Sequence, residues 1–485
     1  MFRPGLHAAA HVAYHAAPVR SALILVLLWA VPARADYLEQ LRKEAAGQAA
    51  EELVGLAKWC QSKGNNASRN GIWKFILELD PDHEVARRKL RYVRRESKWV
   101  QRSVPPAAKD RNAGALEELD GRRRAIGERY AEHVIPHLER GWRASPSATR
   151  ARVYRELFAL DPDHVRARHA RGEVRVKKIW VLRETARGVT RRVEMEKLLK
   201  EAFGEVPSPL LSKPTDAERA LGVRWHSALD GQDWRLVTAA PAFEALRCIR
   251  VADASRMLID STLGRESKRV PPALRLLMVD TRPAYETALR AHPHTDDESY
   301  KFNAAVSSCW LPKSSTCLMF DATVNQRFEG SARQPVGFHL WSYFGLTGRH
   351  GWAWEGFGLY FTYQLTGYRL SSYVRQTRYA KQSVKARGID AKMRKPNANW
   401  FKLSADLDAP DWKLLLSKDV NQMNSVDLIW SYLLTAFVLE AYPEKANSLL
   451  TRIGKGTASA DALAAGLELP LDELGLRVRR YAKER

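Results

Sequence analysis

From the amino terminus onward, apolar positions first recur at helical spacing, and strand-like runs begin only near residue 234. Phe75, Ile76 and Leu79 lie on one helical face, as do Tyr154, Leu157 and Leu160, and 53–60 and 134–142 predict a preceding helix in each case. Further on, 235–238 and 273–279 read as strands, and 304–310 with 316–324 as a hairpin. Helical periodicity predicts helices at 243–263, 282–290, 335–344, 354–365, 426–441, 444–453, 459–465 and 471–481. Helices alone, then strands with helices after them, predict an α+β fold: N-terminal helical hairpin repeats followed by a domain of a small mixed sheet plus helices.

The first part repeats itself. Leu79-Asp80-Pro81-Asp82-His83 returns as Leu160-Asp161-Pro162-Asp163-His164, an offset of 81 that also carries Ala86-Arg87 onto Ala167-Arg168, Val93 onto Val174 and Trp99-Val100 onto Trp180-Val181. Each copy reads as helix, turn, helix, with Asp as N-cap and Pro at the first helical position. The copies resemble tetratricopeptide-like helical hairpins, which implies a binding or scaffolding surface. Arg87, Arg88, Lys89, Arg91, Arg94 and Arg95, with Arg166, Arg168, Arg171, Arg175, Lys177 and Lys178, make that face basic. It reads as a solvated face or as a surface for an anionic partner.

Three features set the compartment and exclude partners. Arg3 and Arg20 precede an apolar run at 22–31, followed by Pro32 and Ala33-Arg34-Ala35, the order of a signal peptide cleaved before Asp36. Left uncleaved, the same run reads as an anchor, although it falls short of the roughly 20 apolar residues of a spanning helix. The expected product is exported, periplasmic or extracellular, with no membrane span after cleavage. The net charge of +23 divides into +3 for 1–35, +13 for 36–200, −2 for 201–300, +10 for 301–400 and −1 for 401–485. A basic chain invites a nucleic-acid reading. Here the excess lies in two separate stretches of an exported chain with no recognised nucleic-acid motif, so no nucleic-acid partner is expected. The block 367–402 interleaves Tyr368, Tyr373 and Tyr379 with Arg369, Arg375, Arg378 and Lys381, and reads as a charged surface insertion.

Of the four cysteines, Cys309 and Cys317 flank a turn-like stretch, and a disulfide across the hairpin is expected in an oxidising compartment; Cys60 and Cys248 read as unpaired thiols. With no Cys-x-x-Cys pair, neither a zinc knuckle nor a thioredoxin-type site is expected.

Residues 233–485 resemble the peptidase MA-like domain of zincin metallopeptidases in its short bacterial gluzincin form. The resemblance rests on Val336-Gly337-Phe338-His339-Leu340-Trp341-Ser342-Tyr343-Phe344 and on Trp352-Ala353-Trp354-Glu355-Gly356-Phe357-Gly358-Leu359-Tyr360-Phe361. It extends to Trp430-Ser431-Tyr432-Leu433-Leu434 and to Gly466-Leu467-Glu468-Leu469 with the helix running to Tyr481. In active members a His-Glu-x-x-His helix and a downstream Glu hold zinc, and the intervening Glu is the general base. The resemblance implies His339 as the first zinc histidine and Glu355 as the downstream glutamate. It places Leu340 where the base belongs and Tyr343 where the second histidine belongs.

The expected organisation is a signal peptide at 1–35, a tetratricopeptide-like region at 36–200 and a zincin-like domain at 233–485. The resemblance implies a catalytically degenerate metallopeptidase, with no cofactor and a binding or scaffolding role toward a protein. Two alternatives stand beside it. One is an active zinc peptidase with a site rebuilt from His339, His350 and Glu355. The other is a structural cell-envelope protein that binds anionic polymers through its basic surfaces.

Overall fold

A computed structural model describes residues 20–103, 109–141, 145–264, 274–304, 308–320, 323–369, 384–395 and 398–485. The chain divides into two compact units, Met1–Glu173 and Val174–Arg485. Most of the expected signal segment lies outside the described residues, and its apolar run falls on the first helix. Among the described residues no helix is long and apolar enough to cross a membrane.

In the N-terminal unit, α1 (Arg20–Ser62), α2 (Asn66–Leu79) and α3 (Glu84–Lys89) lead into a hairpin of β1 (Tyr92–Arg95) and β2 (Lys98–Gln101). The second copy follows as α4 (Gly114–Gly141), α5 (Ser147–Leu160) and α6 (Val165–Ala170), then β3 (Glu173–Val176) and β4 (Ile179–Leu182), where the chain passes into the C-terminal unit. The repeating element is therefore two long helices, one short helix and a β-hairpin. The hairpins were not expected, although the matched Trp-Val pairs lie in β2 and β4.

Of the predicted stripes, Ile76 and Leu79 of α2 and Tyr154, Leu157 and Leu160 of α5 are buried, while Phe75 is only partly buried against the same core. They share that core with Trp73, Val153, Leu53 of α1 and Val134 and Ile135 of α4. Full burial of each such side chain contributes about 1.5–3 kcal/mol relative to exposure. Beside that core the buried Glu156 carboxylate accepts from both Arg42 Nη1 (3.0 and 3.2 Å) and the Tyr130 hydroxyl (2.6 Å).

The capping scheme needs correction. Asp80 and Asp161 end α2 and α5, and their Oδ1 atoms accept from the backbone N–H of Asp82 and Asp163 at 3.1 Å in both copies. The N-caps of α3 and α6 are the histidines: His83 Nδ1 accepts from Ala86 N at 3.4 Å and His164 Nδ1 from Ala167 N at 3.1 Å. The prolines consequently sit in the turn, two residues ahead of the cap.

The C-terminal unit begins at Val174, within β3, and continues through β4 and α7 (Arg183–Glu205). Its six-stranded sheet has the order β5-β6-β7-β8-β10-β9, built from β5 (Leu210–Ser212), β6 (Ser227–Asp230), β7 (Trp234–Thr238), β8 (Leu274–Val279), β9 (Ser308–Leu311) and β10 (Thr316–Phe320). β7, β8 and β10 are parallel neighbours, flanked by antiparallel β6 and by antiparallel β9 at the edge. The unit is thus α+β with a mixed sheet. β5 and β6 escape sequence reading because they are short, and Leu210 and Leu211 are exposed, so no alternation marks them.

α8 (Asp216–Arg219) lies between β5 and β6, α9 (Ala242–Leu263) between β7 and β8, and α10 (Arg282–Ala291) and α11 (Asp297–Asn303) between β8 and β9. The remaining helices are α12 (Val324–Phe344), α13 (Gly351–Thr366), α14 (Val384–Met393), α15 (Trp400–Ser404), α16 (Trp412–Ser417), α17 (Ser425–Ala441), α18 (Pro443–Gly454), α19 (Ser459–Leu467) and α20 (Leu471–Glu484). The continuous apolar run in β8 is explained by cores on both faces, Leu276 and Met278 facing one and Leu277 and Val279 the other. α17 is predominantly apolar because nearly its whole circumference is buried, with Asp427, Ser431, Thr435 and Glu440 among its buried polar members.

Strand register corrects the disulfide expectation. Cys309 pairs with Leu318 and Cys317 with Trp310, so the two cysteines are one residue out of step and project to opposite faces. Cys317 enters the core with α9, and Cys309 the core with Tyr285 of α10. No disulfide joins them, and burial pushes the Cys309 thiol up to about 11.

Candidate functional site

α12 and α13 form an antiparallel pair joined by a short loop. Thr323 starts α12 with a reciprocal capping box to Gln326, and Gly345 ends it at φ 72, a conformation that favours glycine. His350 stands at the start of α13. Around α12 the side chains separate into two stripes. Arg333, Gly337 and Trp341 succeed one another at four-residue spacing, and His339 and Tyr343 form a second stripe roughly 200° round the helix from Gly337.

The second stripe is turned into the unit. His339 is 2% exposed, and neither ring nitrogen has a hydrogen-bonding partner among the described residues. Its ring meets Trp234 edge-on at 6.3 Å and lies 5.4 Å from that of Tyr343. Burial, with a smaller contribution from the Arg256 cation, pushes the imidazole down to about 3, so it stays neutral. Leu340 is fully buried. Tyr343 faces Arg256 and Asp260 of α9, where burial raises the Asp260 carboxyl.

Glu355 projects from α13 onto α12, where its Oε2 lies 3.3 Å from Arg333 Nη2, both side chains being buried. The sequence around it is explained by packing. A Cβ on Gly356 would stand 2.5 Å from the Ser431 carbonyl oxygen of α17, and one on Gly358 would stand 2.3 Å from the Arg333 guanidinium. These glycines admit a neighbouring helix and a buried cation. Phe357 and Phe361 are core residues, whereas Trp354 is half-buried beside Arg333.

The residues of the rebuilt zinc set do not converge. His350 Nδ1 accepts from Thr347 N at 3.1 Å within the connecting loop, and burial lowers its pKa. Among the described residues no three His, Cys, Asp or Glu side chains are grouped as a metal site. A zinc ion needs three protein ligands with free donor atoms. Here one imidazole is enclosed by aromatic rings, the carboxylate is paired with a guanidinium, and the other imidazole serves a turn. The residues do not fit the ion.

The first stripe opens onto a cleft of about 240 Å³ lined by Trp310 of β9, by Arg333, Gln334, Gly337, Phe338 and Trp341 of α12, by Leu346, Thr347 and Gly348 of the loop, and by Trp354 of α13. Trp341 is 45% exposed, while Arg333 forms the floor, donating to the Trp354 carbonyl at 3.2 Å. No carboxylate, imidazole or thiol is among the lining residues. An aromatic-walled cavity with a guanidinium, an amide and a hydroxyl can hold a flat apolar group and orient it by a few polar contacts. Arg333, Gln334 and Trp310 were not singled out from sequence; the four-residue spacing of Arg333, Gly337 and Trp341 was the available signal.

In the basic block, 370–383 lies outside the described residues. Arg369 is a packing residue, its guanidinium 3.9 Å from the Tyr363 ring centre and donating to the Tyr432 hydroxyl at 3.0 Å. A second cluster unmarked by sequence surrounds the buried Glu440, which is paired with Arg192 and Arg485 at 2.9 Å each and receives the Tyr360 and Tyr481 hydroxyls.

No protein-family model, curated protein or solved structure matches this chain.

Proposed function

We propose that the C-terminal unit is a metallopeptidase-like scaffold that binds without hydrolysing, and that it works outside the cytoplasm. The observation carrying this reading is the division of α12 into two faces. The stripe holding His339 and Tyr343 is core, with Leu340 buried beside it, while the face bearing Arg333, Gly337 and Trp341 lines the cleft. Leucine cannot take a proton from water and a neutral tyrosine is a weak zinc ligand, so neither supplies what hydrolysis requires. The cleft instead offers aromatic walls of the size and polarity of a single apolar side chain. Its occupant on this reading is an aromatic or large aliphatic side chain of a protein partner.

A mixed octapeptide library incubated with the full chain tests this. Peptides with an aromatic residue are expected to quench tryptophan fluorescence and to emerge uncleaved. Trp341→Ala is expected to weaken that binding roughly tenfold, about 1.4 kcal/mol. Chelator-sensitive cleavage of any library member would overturn the reading.

A further inference from the structure

The two copies of the repeat have diverged in their hairpins. In the second copy β4 is covered: Val181 and Leu182 are buried, β4 packs on α7 and α20, and Leu182 N donates to Glu484 at 2.9 Å. In the first copy the equivalent β2 is open, with Val100 and Gln101 exposed. Around β1 and β2 stand Lys89, Arg91, Arg94, Arg95, Lys98 and Arg102, all exposed, against a single acidic residue, Glu96, in 89–103. No ion pair among the described residues involves any of these six cations; Arg91 donates to the Ser103 hydroxyl at 3.2 Å. At the offset of 81 four of them become Ala170, Gly172, Val176 and Ile179. The charge is therefore not required by the repeat.

Three positions hold cations at a conformational or electrostatic disadvantage. Arg95 and Lys98 are direct cross-strand partners, and like charges placed so repel. Arg91 adopts φ 65, where the second copy has Gly172 at φ 80, and a side chain is disfavoured there. Cations kept at such positions, with no ion-pair partner among the described residues, fit an anion supplied by a partner.

We propose that the β1–β2 hairpin docks a linear phosphate-bearing polymer. Opposed cations about 5 Å apart at Cβ can be bridged by one phosphate, whose oxygens point in several directions, better than by a planar carboxylate. Stacking on nucleic-acid bases is disfavoured because the rings are occupied: the Arg87 guanidinium covers Tyr92 at 4.7 Å and Trp99 at 6.0 Å. A bilayer is disfavoured because the turn carries Glu96 and Ser97, with no apolar group to insert.

The test is binding of long-chain inorganic polyphosphate to the full chain over a salt series. The expected result is affinity that falls steeply with salt. Arg94→Gln/Arg95→Gln/Lys98→Gln should bind at least tenfold more weakly, with the slope of log affinity against log salt reduced by roughly two to three. The matched triple Arg175→Gln/Lys177→Gln/Lys178→Gln on the second hairpin should bind as the parent does. Arg91→Gly, which installs the residue the second copy already has, should weaken binding several-fold without disturbing the fold. Equal losses in both triples, an unchanged Arg91→Gly, or binding to polygalacturonate or anionic vesicles as tight as to polyphosphate would each overturn the proposal.

Discussion

His339 is a buried imidazole held neutral, and this has a consequence for acid stability. Its folded value is near 3, against 6.5 for an ordinary histidine. Below 6.5 the unfolded chain gains a proton that the folded chain refuses, so folding weakens as pH falls and the loss stops only near pH 3. The slope from this one group is about 1.4 kcal/mol per pH unit. His339→Leu is expected to lose stability less steeply than the parent between pH 6.5 and pH 4 in denaturant titrations; parallel curves would contradict the assignment. The sequence displayed this residue clearly but not its surroundings. That His339 points at Trp234, and Glu355 at Arg333, follows from contacts across the fold that no local pattern contains.

The histidine caps explain why the repeat was legible while its detail was not. The shared Leu-Asp-Pro-Asp-His located both helix junctions. Asp is the commoner N-cap, yet here the Asp–Pro turn places the imidazole over the new helix and leaves the aspartate to accept within the turn. His164→Ala is expected to destabilise the N-terminal unit by about 1 kcal/mol, and His164→Asn to restore most of it, as read by thermal unfolding. Equal melting of all three forms would remove the capping role. The hairpins were hidden for a different reason: four-residue strands with cations along them carry little alternation, and only the matched Trp-Val pairs marked them. In the second unit, β7, β8, β10 and α17 were readable because nearly complete burial demands predominantly apolar runs. The register separating Cys309 from Cys317 was not, since it depends on which residues of β9 and β10 pair.

Across the whole chain, the α+β class and the presence of two units were accessible from the order of patterns, whereas the division point was not. The basic excess resolves into cations with partners, such as Arg42, Arg333 and Arg369, and a concentrated set on the first hairpin. The proposed metallopeptidase-like helix pair is core on one face and lines a cleft on the other. Metal content tests that most directly. Purified full-length chain and His339→Ala, both exposed to zinc and desalted, should be alike in holding less than 0.1 zinc per chain, roughly the level of carry-over expected where no three ligands converge. One zinc per chain in the parent, lost in His339→Ala, would contradict it.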